Sequence, residues 1–113
     1  MQRAHKAFIA LINRHDFFEA HEVLERIWFP IRHSDHPEKN ILRGLINASV
    51  SFELIRRGRP EAAGKVWKTY LKYRPLIALC TSPNREYYEK IADAIEEVYT
   101  EFEEFYGYTT PHE

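Results

Sequence analysis

A histidine and a glutamate four residues apart are the side chains in this sequence best suited to chemistry. His21 and Glu25 lie in a segment whose apolar residues recur every three or four positions, which predicts an amphipathic helix. Residues four apart share one face of a helix, and Phe18 and Trp28 border this pair. An imidazole beside a carboxylate can serve as a general base, as part of a metal site or as part of a hydrogen-bonded network.

The surroundings of this pair predict a partner for its carboxylate. A charged carboxylate among aromatic rings is costly unless an opposite charge and hydrogen bonds compensate it. The most polar side of the next long helix offers Arg43 and Asn47, which are also four residues apart. We therefore expect a buried polar network in which Arg43 gives Glu25 a guanidinium fork. The candidate site consists of His21, Glu25, Trp28, Arg43 and Asn47.

A metal site is the alternative use of the same residues. The segment from His21 to Glu25 reads H-E-x-x-E, which is similar to the zinc-peptidase pattern H-E-x-x-H. In a helix, however, Glu22 points about 100° away from His21, and a metal would need further ligands from other helices. The run His33-Ser34-Asp35-His36 is better explained as an exposed turn. We predict no metal and no cofactor.

The spacing of apolar residues predicts an all-α fold with a single domain over residues 1–113. About five helices are expected, near residues 2–13, 17–29, 38–57, 60–74 and 83–106. The helix at 38–57 is apolar on almost every side, which is typical of a central helix packed by several neighbours. Gly44 and Ala48 leave room for one neighbour to come close, and Gly58 is expected to end this helix.

Local patterns predict how two helices begin and how the last one packs. Asp16 with Glu19, and Asp35 with Glu38, have the spacing of capping boxes. The last helix carries an apolar stripe that predicts a seam inside the bundle, with a homodimer seam as the alternative. The stripe consists of Tyr88, Ile91, Ile95, Val98, Phe102 and Phe105.

Charge and composition narrow the function classes. The net charge of −1 argues against a dedicated nucleic-acid binder, the lack of a long apolar run argues against a membrane span, and the single cysteine fits the cytoplasm. Residues 56–74 nevertheless carry seven Lys or Arg against one Glu, whereas residues 85–104 carry eight acidic residues against two basic ones. The two segments could complement each other. The alternative is an anion or RNA interface on helix 60–74, with Trp67, Tyr70 and Tyr73 interleaved.

Two stretches carry a family resemblance. The first is Phe17-Phe18-Glu19-Ala20-His21-Glu22-Val23-Leu24-Glu25 followed by Trp28, and the second is Gly44-Leu45-Ile46 followed by Arg56-Arg57-Gly58 and Pro60. Over about residues 8–72, the chain resembles domain-of-unknown-function family 309, a group of small prokaryotic helical proteins. The resemblance implies an all-helical fold. It also implies that His21, Glu25 and Trp28 are signature positions of the family. It implies no activity.

The sequence departs from the family pattern at three positions on the third helix. Family members often carry Gln where Arg43 and Asn47 stand, and His where Glu53 stands. From residues and resemblance together, we predict a non-enzymatic domain that binds a partner or a small ligand. The first alternative is an enzyme, metal-assisted or not, that uses His21 and Glu25 in a cleft. The second is the anion or RNA interface of helix 60–74.

Overall fold

The third helix lies at the centre of the molecule in a computed structural model that describes residues 1–106. The five helices are α1 (Gln2–Asn13), α2 (Phe17–Trp28), α3 (Lys39–Arg56), α4 (Pro60–Tyr73) and α5 (Arg85–Tyr106). Short 3-10 turns follow α2 at Phe29–Ile31 and α4 at Arg74–Leu79. Helix α3 packs against α2, α4 and α5, and α1 packs against α2 and α5. The all-helical fold around a central apolar helix is therefore confirmed.

Close packing between α3 and α4 depends on Gly44. A Cβ atom placed on Gly44 would lie 3.0 Å from Cβ of Tyr73 and 3.7 Å from Cα of Tyr70. Contacts of 3.0 Å between carbon atoms are well inside the optimum near 3.5–4.0 Å, so a side chain at this position would push the two helices apart. The prediction that Gly44 lets a neighbour approach is confirmed.

Helices α1 and α3 end in the same hydrogen-bonded motif. At the end of α3, the amides of Gly58 and Arg59 donate to the carbonyls of Ile55 and Leu54, and Gly58 has a φ of 72°. This is a Schellman motif, and Gly58 ends α3 as predicted. Helix α1 ends in the same way at His15, whose φ is 65°. Only a few per cent of non-glycine residues have a positive φ, although histidine is among the enriched types.

The two predicted capping boxes are wrong. The carboxylate of Asp16 pairs with the guanidinium of Arg14 at 2.6 Å and makes no capping bond to α2. The residue at the N-cap of α3 is Glu38, not Asp35, and its side chain makes no capping bond either. Asp16 pairs with the neighbouring cation Arg14 instead of capping α2. Glu38 belongs to a buried network with residues far along the chain instead of forming a capping box with Asp35.

Helix α5 turns its apolar stripe into the bundle. Tyr88, Ile91, Ile95 and Val98 are buried, Phe102 is half-buried and Phe105 is exposed. The predicted end of this helix at Gly107 lies outside the described residues. The charge complementarity expected between the last two helices is limited, because within the described chain only Arg74 among the bases of 56–74 reaches α5, where it pairs with Glu96 at 2.8 Å.

The aromatic residues of α4 belong to the core. Trp67 and Tyr70 are buried, and the Trp67 ring stacks on Tyr99 with ring centroids 4.5 Å apart. These two rings are therefore not available to stack on bases, whereas Tyr73 is half-buried.

Within residues 1–106, no helix combines the length and the apolar character that crossing a bilayer requires.

Candidate functional site

The imidazole of His21 is held in one orientation by its own helix. Its Nδ1 lies 2.5 Å from the carbonyl oxygen of Phe18, and its ring meets the Phe18 ring edge-on, with centroids 4.9 Å apart. A carbonyl can only accept, so Nδ1 carries the proton that is donated in this bond. In the neutral ring, Nε2 is then the nitrogen with a free lone pair. His21 is mostly buried, with 17% of its side chain exposed.

The carboxylate of Glu25 is not buried beside His21. His21 Nε2 and Glu25 Oε1 are 3.8 Å apart, which is too long for a hydrogen bond, and 46% of the Glu25 side chain is exposed. Water can solvate a carboxylate at this exposure, so no buried cation is needed to balance its charge. The predicted burial of Glu25 is therefore wrong.

Arg43 and Asn47 do not join the His21 pair. Arg43 is exposed, and its guanidinium carbon lies 5.9 Å from the centroid of the Tyr73 ring on α4. Asn47 donates from its side chain to the carbonyl of Arg43 in the same helix at 2.7 Å. Within residues 1–106, Glu25 forms no ion pair with Arg43, so the predicted guanidinium fork is wrong. Trp28, the remaining candidate, is half-buried and packs against the core.

The side of α3 that meets His21 is instead formed by residues 50–57. Together, α2 and α3 line a groove with a volume of about 210 Å³, which we name the α2–α3 groove. Its lining residues are Phe17, Phe18, His21, Val50, Glu53, Leu54 and Arg57. The groove is therefore mainly apolar, with three polar side chains among its walls.

Glu53 is the acid of this groove that sequence reasoning placed outside the site. Its side chain is only 19% exposed, and its Oε2 accepts a 2.8 Å hydrogen bond from Nε of Arg57. Arg56 lies 3.9 Å away on the other carboxylate oxygen. From the sequence, position 53 stood out only as a departure from the pattern that the resemblance implies.

The described part of the chain contains few side chains that are placed to bind a metal ion together. In residues 1–106, no three His, Cys, Asp or Glu side chains come together in a way that could hold one. His21 and Glu25 thus remain two residues without a third ligand in the described chain.

A second polar cluster lies at the start of α3, around a carboxylate that is only 6% exposed. Oε1 of Glu38 accepts hydrogen bonds from the Tyr88 hydroxyl at 2.5 Å and from the Asn84 side chain at 3.1 Å. The thiol of Cys80 lies 3.9 Å from Oε2. Sequence reasoning missed this cluster, although the predicted burial of Tyr88 was a signal, because a buried phenol needs a polar partner.

The hydrogen bonds around Glu38 determine its protonation. Burial disfavours the charged form, but hydrogen bonds from Ser82, Tyr88 and Asn84 outweigh it, so the pKa of Glu38 lies below its ordinary value of 4.5. Burial and the adjacent Glu38 carboxylate raise the pKa of Tyr88. At neutral pH, the cluster therefore contains an ionised carboxylate and a neutral phenol.

Comparisons with known proteins agree with the family resemblance of the sequence. An uncharacterized protein of Aquifex aeolicus (strain VF5) is 34% identical over 59 residues, which span 52% of this chain and 17% of that protein. The chain thus corresponds to less than a fifth of that relative's length. No solved structure matches the chain. The family model of the domain of unknown function DUF309 matches residues 5–66. Because this match covers more than half of the chain, the protein belongs to the DUF309 family.

Proposed function

We propose that this protein is a non-enzymatic recognition domain whose α2–α3 groove binds one large apolar side chain of a partner protein, next to an acidic residue of that partner. The observation that carries the proposal is the groove itself. The groove is a mainly apolar hollow between two helices. His21, Glu53 and Arg57 are its polar lining residues, and the exposed Phe18 forms one of its apolar walls.

The volume of the groove fits a side chain better than a cofactor. Pockets that bury drug-sized ligands measure roughly 300–1,000 Å³, whereas an engineered apolar cavity of about 150 Å³ holds one benzene molecule. The α2–α3 groove, at about 210 Å³, lies between these values. A leucine, isoleucine or phenylalanine side chain is an occupant of suitable size.

The charge at one end of the groove favours an acidic neighbour in the partner. Arg56 and Arg57 both lie near Glu53, so two cations face one carboxylate. Arg59 follows and is exposed. Arg57 contacts Glu53 through Nε, and within residues 1–106 its guanidinium makes no other hydrogen bond, so its remaining N–H groups can donate to a carboxylate on a bound segment.

The family match supports the same location. Residues 5–66 include the whole of α2 and α3 and the following Arg57, which together line the groove. In the Aquifex aeolicus protein, the similar segment forms 17% of a longer chain. A small segment within a longer protein is suited to recognition, since a module of this kind needs a surface rather than a complete catalytic apparatus.

The enzymatic alternative has less geometric support. A general base needs an orienting partner within hydrogen-bond reach, and the carboxylate of Glu25 is 3.8 Å from His21 Nε2. The nearest fixed contact of the ring is the backbone carbonyl of Phe18, which holds the imidazole but supplies no charge.

A dye titration with two matched variants tests the proposal. The dye 1-anilinonaphthalene-8-sulfonate combines an aromatic body with an anionic head, as the proposed partner segment does. We expect saturable fluorescence enhancement with the wild-type protein. Phe18→Ser should weaken binding by about tenfold, or roughly 1.4 kcal/mol, because it removes one apolar wall. Arg57→Gln should weaken the sulfonate contact.

The control is Phe29→Ser, since Phe29 is 52% exposed and Phe18 is 51% exposed, but Phe29 lies outside the groove. Phe29→Ser should bind the dye as the wild type does. Equal losses in the two phenylalanine variants, or unchanged binding in Phe18→Ser, would contradict the proposal.

A further inference from the structure

A second cavity, on the other end of α3, joins apolar walls to a buried anion. Its volume is about 210 Å³, and Glu38 forms part of its wall. The other lining residues are Pro37, Ile41, Leu76, Leu79, Cys80, Thr81 and Ser82. Pro37, Ile41, Leu76 and Leu79 make most of this surface apolar, and Glu38, whose pKa is lowered, supplies a carboxylate to it.

The Glu38 carboxylate is held by hydrogen-bond donors, which are the Tyr88 hydroxyl, the Asn84 amide and Ser82, and the Cys80 thiol lies beside it. The imidazole of His36 also acts on Glu38, since its charge helps to lower the pKa of Glu38 and its Nδ1 accepts a 3.1 Å hydrogen bond from the Glu38 backbone amide. Within residues 1–106, no Lys or Arg nitrogen lies within 4.0 Å of the Glu38 carboxylate. The neighbouring Lys39 is directed away, since its ammonium donates to the carbonyl of Ser34 at 2.6 Å.

A desolvated anion that no Lys or Arg neutralises attracts an incoming positive charge more strongly than an exposed one does, because the local dielectric is low. The rim of the cavity adds apolar contact. Leu79 is 73% exposed, more than any other large apolar side chain in the described chain. Burying such a side chain against an aliphatic ligand is favourable.

We infer that this cavity, which we name the Glu38 cavity, binds a small aliphatic ammonium ion. The cationic head would lie at Glu38, and the hydrocarbon portion would lie against Ile41, Leu76 and Leu79. Such an ion is available as a free alkylamine or as the lysine side chain of another protein, and both present the same chemistry. The inference is independent of the α2–α3 groove, which lies between other residues.

The family match includes only part of this cavity, namely Pro37, Glu38 and Ile41. Cys80, Ser82, Asn84 and Tyr88 all lie beyond residue 66, where the match ends. The groups that hold the Glu38 carboxylate therefore come from the part of the chain for which the family provides no pattern.

Backbone amide shifts in a ¹⁵N NMR titration test the inference. The probes are butylammonium chloride and, as a neutral analogue of the same length, butanol. We expect saturable shifts at the amides of Glu38, Cys80 and Ser82 with butylammonium, and no saturable shifts there with butanol. Equal responses to the two probes, or no saturable response to butylammonium, would overturn the inference.

Two surface variants keep the test independent of folding. Leu79→Lys places an ammonium of the protein itself at the rim, so it should compete with butylammonium and abolish the saturable shifts. Leu71→Lys is the matched control, because Leu71 is exposed on α4 and does not line the cavity. If both variants bind butylammonium equally, the inference fails. Glu38→Gln, provided that its amide spectrum remains dispersed, should also lose the response, and retained binding would overturn the inference.

A third probe distinguishes the two sources of the ligand. Nα-acetyl-lysine methylamide carries the same ammonium on a peptide-like body. Tighter binding of this probe than of butylammonium would assign the cavity to a partner's lysine, and weaker binding would assign it to a free amine. Either order supports the ammonium site, whereas failure of both probes contradicts it.

Discussion

The hydroxyl of Tyr88 donates a 2.5 Å hydrogen bond to Oε1 of Glu38, a residue that lies 50 positions earlier in the chain. This bond connects the first turn of the bundle's last helix with the N-cap of its central helix. It also explains why Glu38 remains ionised in the interior, since the donor compensates part of the lost hydration. Several measurable properties depend on this contact.

Tyr88→Phe should destabilise the protein, because it removes a donor from a buried carboxylate without changing the packing of the ring. Leaving a buried acceptor less satisfied costs about 1–3 kcal/mol, and more where the group is charged. Urea unfolding at neutral pH measures the difference. Tyr87→Phe is the neighbouring control, since Tyr87 is half-buried and stacks on His5. Equal stability of Tyr88→Phe and the wild type would contradict the role of the hydroxyl.

Acid should destabilise the wild type more than it destabilises Glu38→Gln. The pKa of Glu38 is lowered in the folded state from its ordinary value of 4.5. Its contribution to stability is therefore complete above that value and is lost as pH falls through the lower, folded-state pKa. Urea unfolding at a series of pH values from neutral to about 3 measures the two curves. Glu96, whose pKa is also lowered, contributes to both proteins and cancels in the difference. Parallel curves would show that Glu38 is not the group responsible.

Gly44→Leu should separate α3 from α4. A Cβ atom at this position already lies 3.0 Å from Cβ of Tyr73, and a leucine adds three more carbon atoms. Forcing extra methylene groups into a packed interface costs about 1–3 kcal/mol. Thermal unfolding measures the loss, and Ala10→Leu on the exposed side of α1 controls for the general effect of adding a leucine. A Gly44→Leu protein as stable as the wild type would mean that the two helices can move apart without cost.

Glu25 and Arg43 should be energetically independent. No ion pair joins them within the described chain, and the Arg43 guanidinium lies toward Tyr73. A double-mutant cycle with Glu25→Gln and Arg43→Gln should give a coupling energy near zero. The cycle of Glu53→Gln with Arg57→Gln is the comparison, and for that partly exposed pair we expect about 0.2–1 kcal/mol. Strong coupling between Glu25 and Arg43 would restore the network predicted from the sequence.

The periodicity of the sequence was sufficient to predict the helices and the core. Phe17, Ala20 and Leu24 are buried as the pattern of α2 requires, and α3 is buried on most sides because nearly all of its faces are apolar. These predictions succeed because burial of apolar side chains depends on the local pattern, whichever helix covers them.

The site residues were harder to predict, because a helical pattern fixes the angles of side chains but not the neighbour they face. Arg43 and Asn47 do lie on a polar side of α3, but that side faces Tyr73 and water rather than α2. Glu53, ten positions after Arg43, meets the groove instead. Glu38 was assigned to a capping box because that explanation is local, whereas its actual donors lie more than 40 positions later.

The central claim, that the α2–α3 groove is the recognition surface, is tested most directly by locating a bound apolar anion on the molecule. A ¹⁵N NMR titration of the wild type with 1-anilinonaphthalene-8-sulfonate measures this at each backbone amide. We predict that the saturable shifts concentrate at residues 17–21 and 50–57, on the two sides of the groove. Shifts concentrated elsewhere, or an absence of saturable shifts in these two segments, would contradict the claim.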